Sequence, residues 1–385
     1  MRYIALDLDK KTAFVRIFDT SSQTQAKGRI GLDPTSLMQF KNTLKSDDNL
    51  CMEACPGSFY LHDVLSVACK VSLINPILFG GLLRLYRNKT DDNDTGLMVT
   101  CQRADCVPTV WVPTAKVRDE RAYSQHVMDL DEQRTRLRNR IHSLLVENGF
   151  GYEAEELLKM DAHRLLAHVR VRLCELTLHA LSTNLKNLAI ADEDLKEAQA
   201  RVVVRAAAHP KTELITTLPG VDNVLSFVMQ AVIDDVTRFD AAASLANYTG
   251  IVPSNHSSGY GNKPKHGPIT KRGSALLRWA AIQAAQNARR TPGKFQNLYN
   301  RYRRRGMCFQ EATVAVAHKL IEVLWCMLTR NEPYREVEPK AQSKKTRRRE
   351  KALVKANATL STAPNPLHAI FSNVTNLTEA LKMAS

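Results

Sequence analysis

Between Ala241 and Gln310 this 385-residue chain has no acidic residue. Elsewhere it lacks other things. No run approaches the roughly 18 consecutive apolar residues that a membrane span requires. The opening Met1-Arg2-Tyr3-Ile4-Ala5-Leu6 meets Asp7 at once, too soon for the apolar core of a secretory leader, so an intracellular protein is expected. No C-x2-C pair and no matching histidine pair completes a zinc set among the eight cysteines, which are expected mostly as buried thiols in a reducing compartment. What is present excludes disorder from end to end: 44% of residues are hydrophobic and 24% charged, enough to bury a core in two or three domains.

The acid-free stretch holds twelve basic residues: Lys263, Lys265, Lys271, Arg272, Arg278, Arg289, Arg290, Lys294, Arg301, Arg303, Arg304 and Arg305. A second block, Lys340 to Lys355, has eight basic residues against Glu350 alone. The net charge is +15, so these two blocks at +19 leave the rest of the chain at −4. Repulsion of this kind is relieved where phosphates neutralise it, and a polyanionic partner is expected.

Along the first hundred residues strand and helix signals alternate. Arg2–Leu8 and Thr12–Phe18 read as a hairpin turning at Asp9-Lys10-Lys11, and Arg29–Leu32 is compatible with a third strand. Helices are predicted from Asp33-Pro34-Thr35, over Ser58–Ala68, from Asn75-Pro76 and from Asp91; strands over Asn49–Ala54 and Lys70–Ile74. From Thr114 to Arg205 the pattern is helical. Val127, Leu130, Leu137, Ile141 and Leu144 form one seam, broken by Arg134, and Leu166, Val169, Leu173 and Leu176 a second. Two long antiparallel helices, a dimeric coiled coil and an ordinary bundle all fit. Helical signals continue to about Arg330 around a glycine-rich loop, Ser257 to Gly273, and a basic, flexible tail is expected beyond, with Leu367–Leu381 as one short helix. The expected divisions are 1–113, 114–205, 206–330 and 331–385.

Asp7 interrupts an apolar strand, where a carboxylate is costly unless paired. Glu53 ends another strand, and Asp91 and Asp94, three apart, share a helix face. Taken singly, Asp91 reads as a helix N-cap, Asp94 as a first-turn acid and Glu53 as a surface residue. As an ordered set, two strand carboxylates and two helix carboxylates suit a pair of Mg2+ ions, which take hard oxygen ligands and stabilise both oxygens of a phosphodiester exchange.

Asp7, Glu53 and Lys89-Thr90-Asp91-x-x-Asp94 resemble the four acids of DEDD transposases, whose RuvC-like, RNase H-type domain belongs to bacterial insertion-sequence recombinases guided by a bridge RNA. The likeness covers about residues 1–330. The first strand departs from the usual Gly-Ile-Asp-x-x-Lys in reading Ala5-Leu6-Asp7-Leu8-Asp9-Lys10, and Glu53-Ala54-Cys55-Pro56-Gly57 is one residue longer than the common Glu-Ala-Thr-Gly.

In the basic stretch, Tyr248–Pro253 precedes Ser257-Ser258-Gly259, and Ile269–Ser274 precedes Leu276-Leu277-Arg278. A serine among glycines and cations suits attack on phosphorus, since glycine permits close backbone approach and Lys or Arg stabilises developing charge; a plain loop serine reads the same way. The order Leu218-Pro219-Gly220-Val221, Arg238-Phe239, Tyr248–Pro253, Ser258-Gly259 and Lys271–Arg278 is similar to the C-terminal transposase domain of the same family, where Gln-Ser-Gly carries the nucleophile. By position that serine is Ser258; Ser257 stands where glutamine is usual, so a second hydroxyl competes for the role, and His256 reads either as an assisting base or as an incidental loop histidine. Leu218-Pro219-Gly220 reads equally as a helix-hairpin-helix turn holding DNA phosphates or as a simple inter-helix turn, with Asp222 where a second glycine is usual.

The resemblance implies an α/β RuvC-like domain, a helical or coiled-coil stalk, and a mainly α C-terminal domain. It implies a bacterial cytoplasmic, nucleoid-associated enzyme that cleaves and rejoins donor and target DNA through a serine–DNA link. Asp7, Glu53, Asp91 and Asp94 would hold Mg2+ as two ions, and Ser258 would be the nucleophile. Lys263, Lys265, Lys271, Arg272, Arg278, Arg303, Arg304 and Arg305 would contact nucleic acid, including a noncoding guide RNA. Acids and serine from different subunits imply a homodimer or homotetramer, and no membrane partner. The rival readings are a hydrolytic RuvC-like nuclease such as a junction resolvase, and a non-catalytic nucleic-acid-binding protein.

Overall fold

The computed structural model describes residues 1–84, 90–256, 265–336 and 339–362. The chain forms two compact units, Met1–Thr114 and Ala115–Ser385.

In the first unit, strands β1 (Arg2–Leu8), β2 (Thr12–Asp19) and β3 (Thr24–Gly31) form an antiparallel meander. Helix α1 (Pro34–Thr43), strand β4 (Asn49–Glu53), helix α2 (Ser58–Leu65), strand β5 (Lys70–Ile74), α3 (Pro76–Leu83) and α4 (Asp91–Arg103) follow. The sheet order is β3-β2-β1-β4-β5, with β4 parallel to both β1 and β5. A central strand buried on both faces explains the apolar run around Asp7. Ile4 and Leu6 pack with Leu37, Phe40, Leu61 and Leu65 of α1 and α2, whereas Ala5 and Cys51 face Phe79 of α3 and Met98, Val99 and Cys101 of α4. Caps set the helix starts: Asp33 accepts from Thr35 and Ser36 N–H at 3.1 and 3.0 Å, and Asn75 from Ile77 and Leu78 N–H at 3.0 and 3.2 Å. Strand β3 begins five residues before the expected Arg29. Its first six residues are exposed, so no buried alternation marks it in the sequence.

The second unit opens with α5 (Ala115–Glu147), short α6 (Ala154–Leu157) and α7 (Ala162–Val169), then α8 (Glu175–Ala207). Val127 and Leu130 pack with Leu195, Ala198 and Val202, while Ile141 and Leu145 pack with Leu181 and Leu185, so α5 and α8 are antiparallel. The second expected seam is misplaced. Leu166, Val169 and Leu173 belong to α7 and the turn after it, and Leu176, in the first turn of the partner helix α8, is 84% exposed.

Helices α9 (Pro210–Thr216), α10 (Asn223–Ile233) and α11 (Ala242–Thr249) come next. A two-stranded ribbon, β6 (Pro253–His256) and β7 (Lys265–Ile269), follows where only a loop was expected. Then come α12 (Ala275–Ala288), α13 (Lys294–Arg304), α14 (Phe309–Arg330) and α15 (Pro339–Thr362). Their core joins Val228, Val232, Leu245, Leu277, Ala281, Val316, Leu320 and Leu324. By length and hydropathy α14 is sufficient to cross a membrane, contrary to the expectation that no segment would be, but its stripe Val316, Leu320 and Leu324 is fully buried in this core. Glu322 on its other side pairs with Lys319.

The basic block expected in a flexible tail instead lies in helix α15. Ala352, Leu353 and Ala356 pack on Ala200 and Val203 of α8, and Arg349 donates to Asn223 Oδ1 at 3.0 Å. The expected helix Leu367–Leu381 lies outside the described residues. All eight cysteines are free, and the expectation that most are buried fails: Cys51, Cys69 and Cys101 are buried, whereas Cys106, Cys174 and Cys308 are exposed.

Candidate functional site

The four acids of the first unit lie at one end of one sheet face. The parallel pairing of β1 with β4 ends at Leu6 opposite Met52, and Asp7 and Glu53 are the next residues of the two strands. Alternation places them on the side of Ala5 and Cys51, the face covered by α4. Both lie near one thiol: burial first, then the charges of Glu53 and Asp7, push Cys55 above its ordinary pKa. Helix α4 runs against these strands. Gln102, near its end, donates to the carbonyl of Asn49 at the start of β4 at 3.1 Å, so its first turn lies at the end where Asp7 and Glu53 emerge. Asp91, Asp94, Met98 and Cys101 form one helical stripe, and the last two pack on Ala5 and Cys51.

The N-cap of α4 is Thr90, whose hydroxyl accepts from Asn93 N–H at 3.2 Å, which corrects the reading of Asp91 as the cap. Asp94 is only 5% exposed. Asp91 is turned to Arg29 of β3 at 2.5 Å, and Asp92, which the sequence did not single out, pairs with Arg16 and Lys27 at 2.6 Å each. The hydrogen bond from Lys27, followed by the charge of Arg16, holds the Asp92 carboxyl below its ordinary pKa. Arg16 is 8% exposed and also donates to Thr95 and Gln25 at 3.3 and 2.9 Å. A lone arginine between Val15 and Ile17 in an apolar strand was the available signal, the same signal that marked Asp7.

The donor set is hard carboxylate oxygen, the chemistry Mg2+ takes. Among the described residues, however, no three His, Cys, Asp or Glu side chains are gathered closely enough to hold an ion as they stand. The fit therefore rests on shared face and end, and it requires Asp91 to leave Arg29.

In the second unit, two glycines frame the expected serine loop. Gly250 ends α11 at φ 67°, and a β-carbon there would lie 2.8 Å from the Arg272 carbonyl oxygen. Gly273, at φ 131°, would press a β-carbon into the Tyr248 carbonyl. The two segments are laced together: Lys271 N–H donates to Gly250 O at 3.0 Å, Thr270 to Val252 O at 2.9 Å and Ser274 to Tyr248 O at 2.7 Å. Arg278 donates to the carbonyls of Thr249 and Lys271 at 2.9 and 3.3 Å, so it holds this junction together. Strands β6 and β7 rise from it and flank residues 257–264. Ser257, Ser258 and Lys263 lie outside the described residues, as does Lys89 in the first unit; the side chains of His256 and Lys265 are likewise outside them. Lys271, Arg272, Arg304 and Arg305 are exposed; so is Arg303, which donates to Met307 O at 2.7 Å.

Leu218-Pro219-Gly220 is a packed inter-helix turn. A β-carbon on Gly220, at φ 81°, would lie 2.7 Å from Ala288 N of α12, and Lys345 Nζ of α15 donates to Leu218 O at 2.6 Å. Asp222, in place of the usual second glycine, caps α10 by accepting from Leu225 N–H at 2.9 Å.

The chain thus combines an α/β unit whose four acids lie at one end of a sheet face with a helical unit that carries a cation-rich glycine junction. Residues 212–300 match the family of transposases IS116/IS110/IS902, and that match takes in α10 to α12 and the ribbon. Over longer stretches the chain is similar to the transposase for insertion sequence element IS1111A of Coxiella burnetii, 28% identical over 74% of this chain and 78% of that protein. It is 23% identical to the pilin gene-inverting protein of Moraxella lacunata, over 86% of this chain and 97% of the relative. The insertion element IS110 protein of Streptomyces coelicolor is 30% identical, over 37% of this chain and 35% of its own.

Proposed function

We propose that this protein is a DNA transposase or recombinase, acting in the bacterial cytoplasm on donor and target DNA. The observation that carries the reading is the family match over 212–300, which brackets the glycine junction, together with relatives named as a transposase and a gene-inverting protein along most of the chain. The finer mechanism rests on the motif resemblance. Strand order β3-β2-β1-β4-β5, with the acids at one end, supports a RuvC-like first unit.

In this reading Asp7, Glu53, Asp91 and Asp94 hold Mg2+, which when bound supplies positive charge to phosphate oxygens. Ser258 Oγ attacks phosphorus; the serine–phosphate bond forms, the bond to the leaving sugar oxygen breaks, and that oxygen takes up the serine's proton. Attack by a new sugar hydroxyl reverses the step and rejoins the strand. Lys271 and Arg272, exposed beside the ribbon, neutralise the phosphate being transferred. A bridge RNA selects the target, and a homodimer or homotetramer brings acids and serine together.

The test is Ser258→Ala with Ser257 intact, beside Asp7→Asn. Detergent-resistant protein–DNA adducts should disappear in the first and strand exchange in the second. Adducts that persist in Ser258→Ala would move the nucleophile elsewhere. Nicking at full rate without any adduct would favour a hydrolytic nuclease, and full exchange by Asp7→Asn would remove the metal role.

A further inference from the structure

The middle of the α5–α8 pair carries a cationic surface separate from the two basic blocks. From Gln133 to Val146, α5 has Arg134, Arg136, Arg138 and Arg140 and no acid; from Leu176 to Ala191, α8 has Lys186 and no acid. Asp131 and Glu132 of α5, with Asp192, Glu193 and Asp194 of α8, bound this band at one end, and Glu147 and Glu175 bound it at the other. Arg134 is turned to Asp131 at 2.7 Å.

The interhelical core is interrupted here. One packed cluster ends at Leu130 and Leu195, and the next begins at Ile141 and Leu185, with Leu188 packed against it. Between them lies a groove of about 340 Å3. Gln133, Arg136 and Arg140 line it from successive turns of α5, and Asn184 and Asn187 line it from α8. Leu137 and Ile190 complete its lining, and Ile190 is 58% exposed. Arg136 and Arg140 are exposed, and neither makes an ion pair or hydrogen bond with another described residue. They stand about 6 Å apart along the helix axis at the usual rise.

We propose that this groove seats the phosphodiester backbone of a nucleic acid, with Arg136 and Arg140 on phosphates and Asn184 and Asn187 on sugar or base-edge atoms. Guanidinium pairs flanked by amide side chains are the donor set that a nucleic-acid strand accepts. A second copy of the chain fits poorly, because a two-fold contact through this groove would set the same guanidiniums of both copies against one another. The inference rests on the transposase reading only in choosing nucleic acid as the polyanion.

The test uses the full chain and its Arg136→Gln/Arg140→Gln double variant. Fluorescein-labelled duplex DNA and a labelled RNA hairpin are titrated between about 50 and 200 mM KCl. The slope of log affinity against log salt should fall by about 1.8 on the probe that occupies the groove, since each lost phosphate contact removes about 0.9. Affinity at the low-salt end should fall roughly a hundredfold, and less at the high-salt end; the Arg136→Lys/Arg140→Lys pair should keep the wild-type slope. The probe that responds identifies DNA or RNA as the occupant. Unchanged slope and affinity on both probes, with wild-type binding intact, would overturn this site and leave the transposase reading standing. Failure of the wild type to bind either probe would overturn both. A change in sedimentation of the double variant without nucleic acid would assign the groove to a second copy instead.

Discussion

Arg16 of β2 holds the first turn of α4 through Asp92, with Nη2 donating to that residue's carbonyl at 2.7 Å and its carboxylate at 2.6 Å. The guanidinium is buried while the carboxylate is about half-exposed. Arg16→Met should therefore cost about 2 kcal/mol, in the range for hydrogen bonds to a charged group and below that for a fully buried pair. Lys27→Met, which removes the exposed partner of the same carboxylate, should cost under about 1 kcal/mol. Urea unfolding of the two variants checks the order, and equal losses would contradict it.

Gly250 and Gly273 should resist substitution for a different reason. Each stands at positive φ, and each would drive a β-carbon into backbone across the junction. Backbone cannot rotate away as a side-chain end can, so Gly250→Ala and Gly273→Ala should each cost about 2 kcal/mol or more. Gly151→Ala, at negative φ and meeting only Val146 methyls at 3.8 and 3.9 Å, should change stability by less than about 1 kcal/mol. Thermal unfolding of the three variants is the measurement.

What the sequence made legible follows from period and punctuation. Strands β1 and β4 were readable because a central strand is largely apolar, and α1 and α3 because Asp33-Pro34 and Asn75-Pro76 announce a cap. The edge strand β3 was half hidden because exposure erases alternation. The partner of α5 was misplaced because the leucines of α7 have helical spacing too, and spacing alone does not say which helix they pack with. Helix α15 was missed because its packing residues, Ala352, Leu353 and Ala356, are small or few among eight cations. Asp7 and Glu53 stood out by the cost of placing charge in strands, and Asp91 and Asp94 by sharing a helix face, but the ion pairs of Asp91 and Asp92 depend on how α4 packs against β2 and β3, which no local pattern encodes.

The Asp91–Arg29 pair gives a prediction about metal. Both side chains are about half-exposed, so the pair is weak and screened. In the metal-binding reading it still competes with the ion for the same carboxylate. Arg29→Ala should lower the Mg2+ concentration for half-maximal strand cleavage by about two- to fivefold, with little change in the rate at saturation. A higher Mg2+ requirement in Arg29→Ala would mean that Arg29 helps to position Asp91 for the ion.

Lys345 links α15 to the turn before α10 and should make its docking depend on pH. Burial pushes its ammonium down to about 8, from an ordinary value of 10.5, while it donates to Leu218 O. Between these values the unfolded chain binds more protons at this site than the folded one, so the contribution of Lys345 to stability rises with pH from about 8 to about 10.5. Below about 8 both states carry the proton, and burial of the charge is opposed at full strength. In Lys345→Met this dependence is absent. The melting temperature of the wild type relative to Lys345→Met should accordingly rise across that window and stay level between about pH 6 and 7. A difference that shrinks as pH rises would mean that the charged form, held by Leu218 O and by Asp222, is the one the fold prefers.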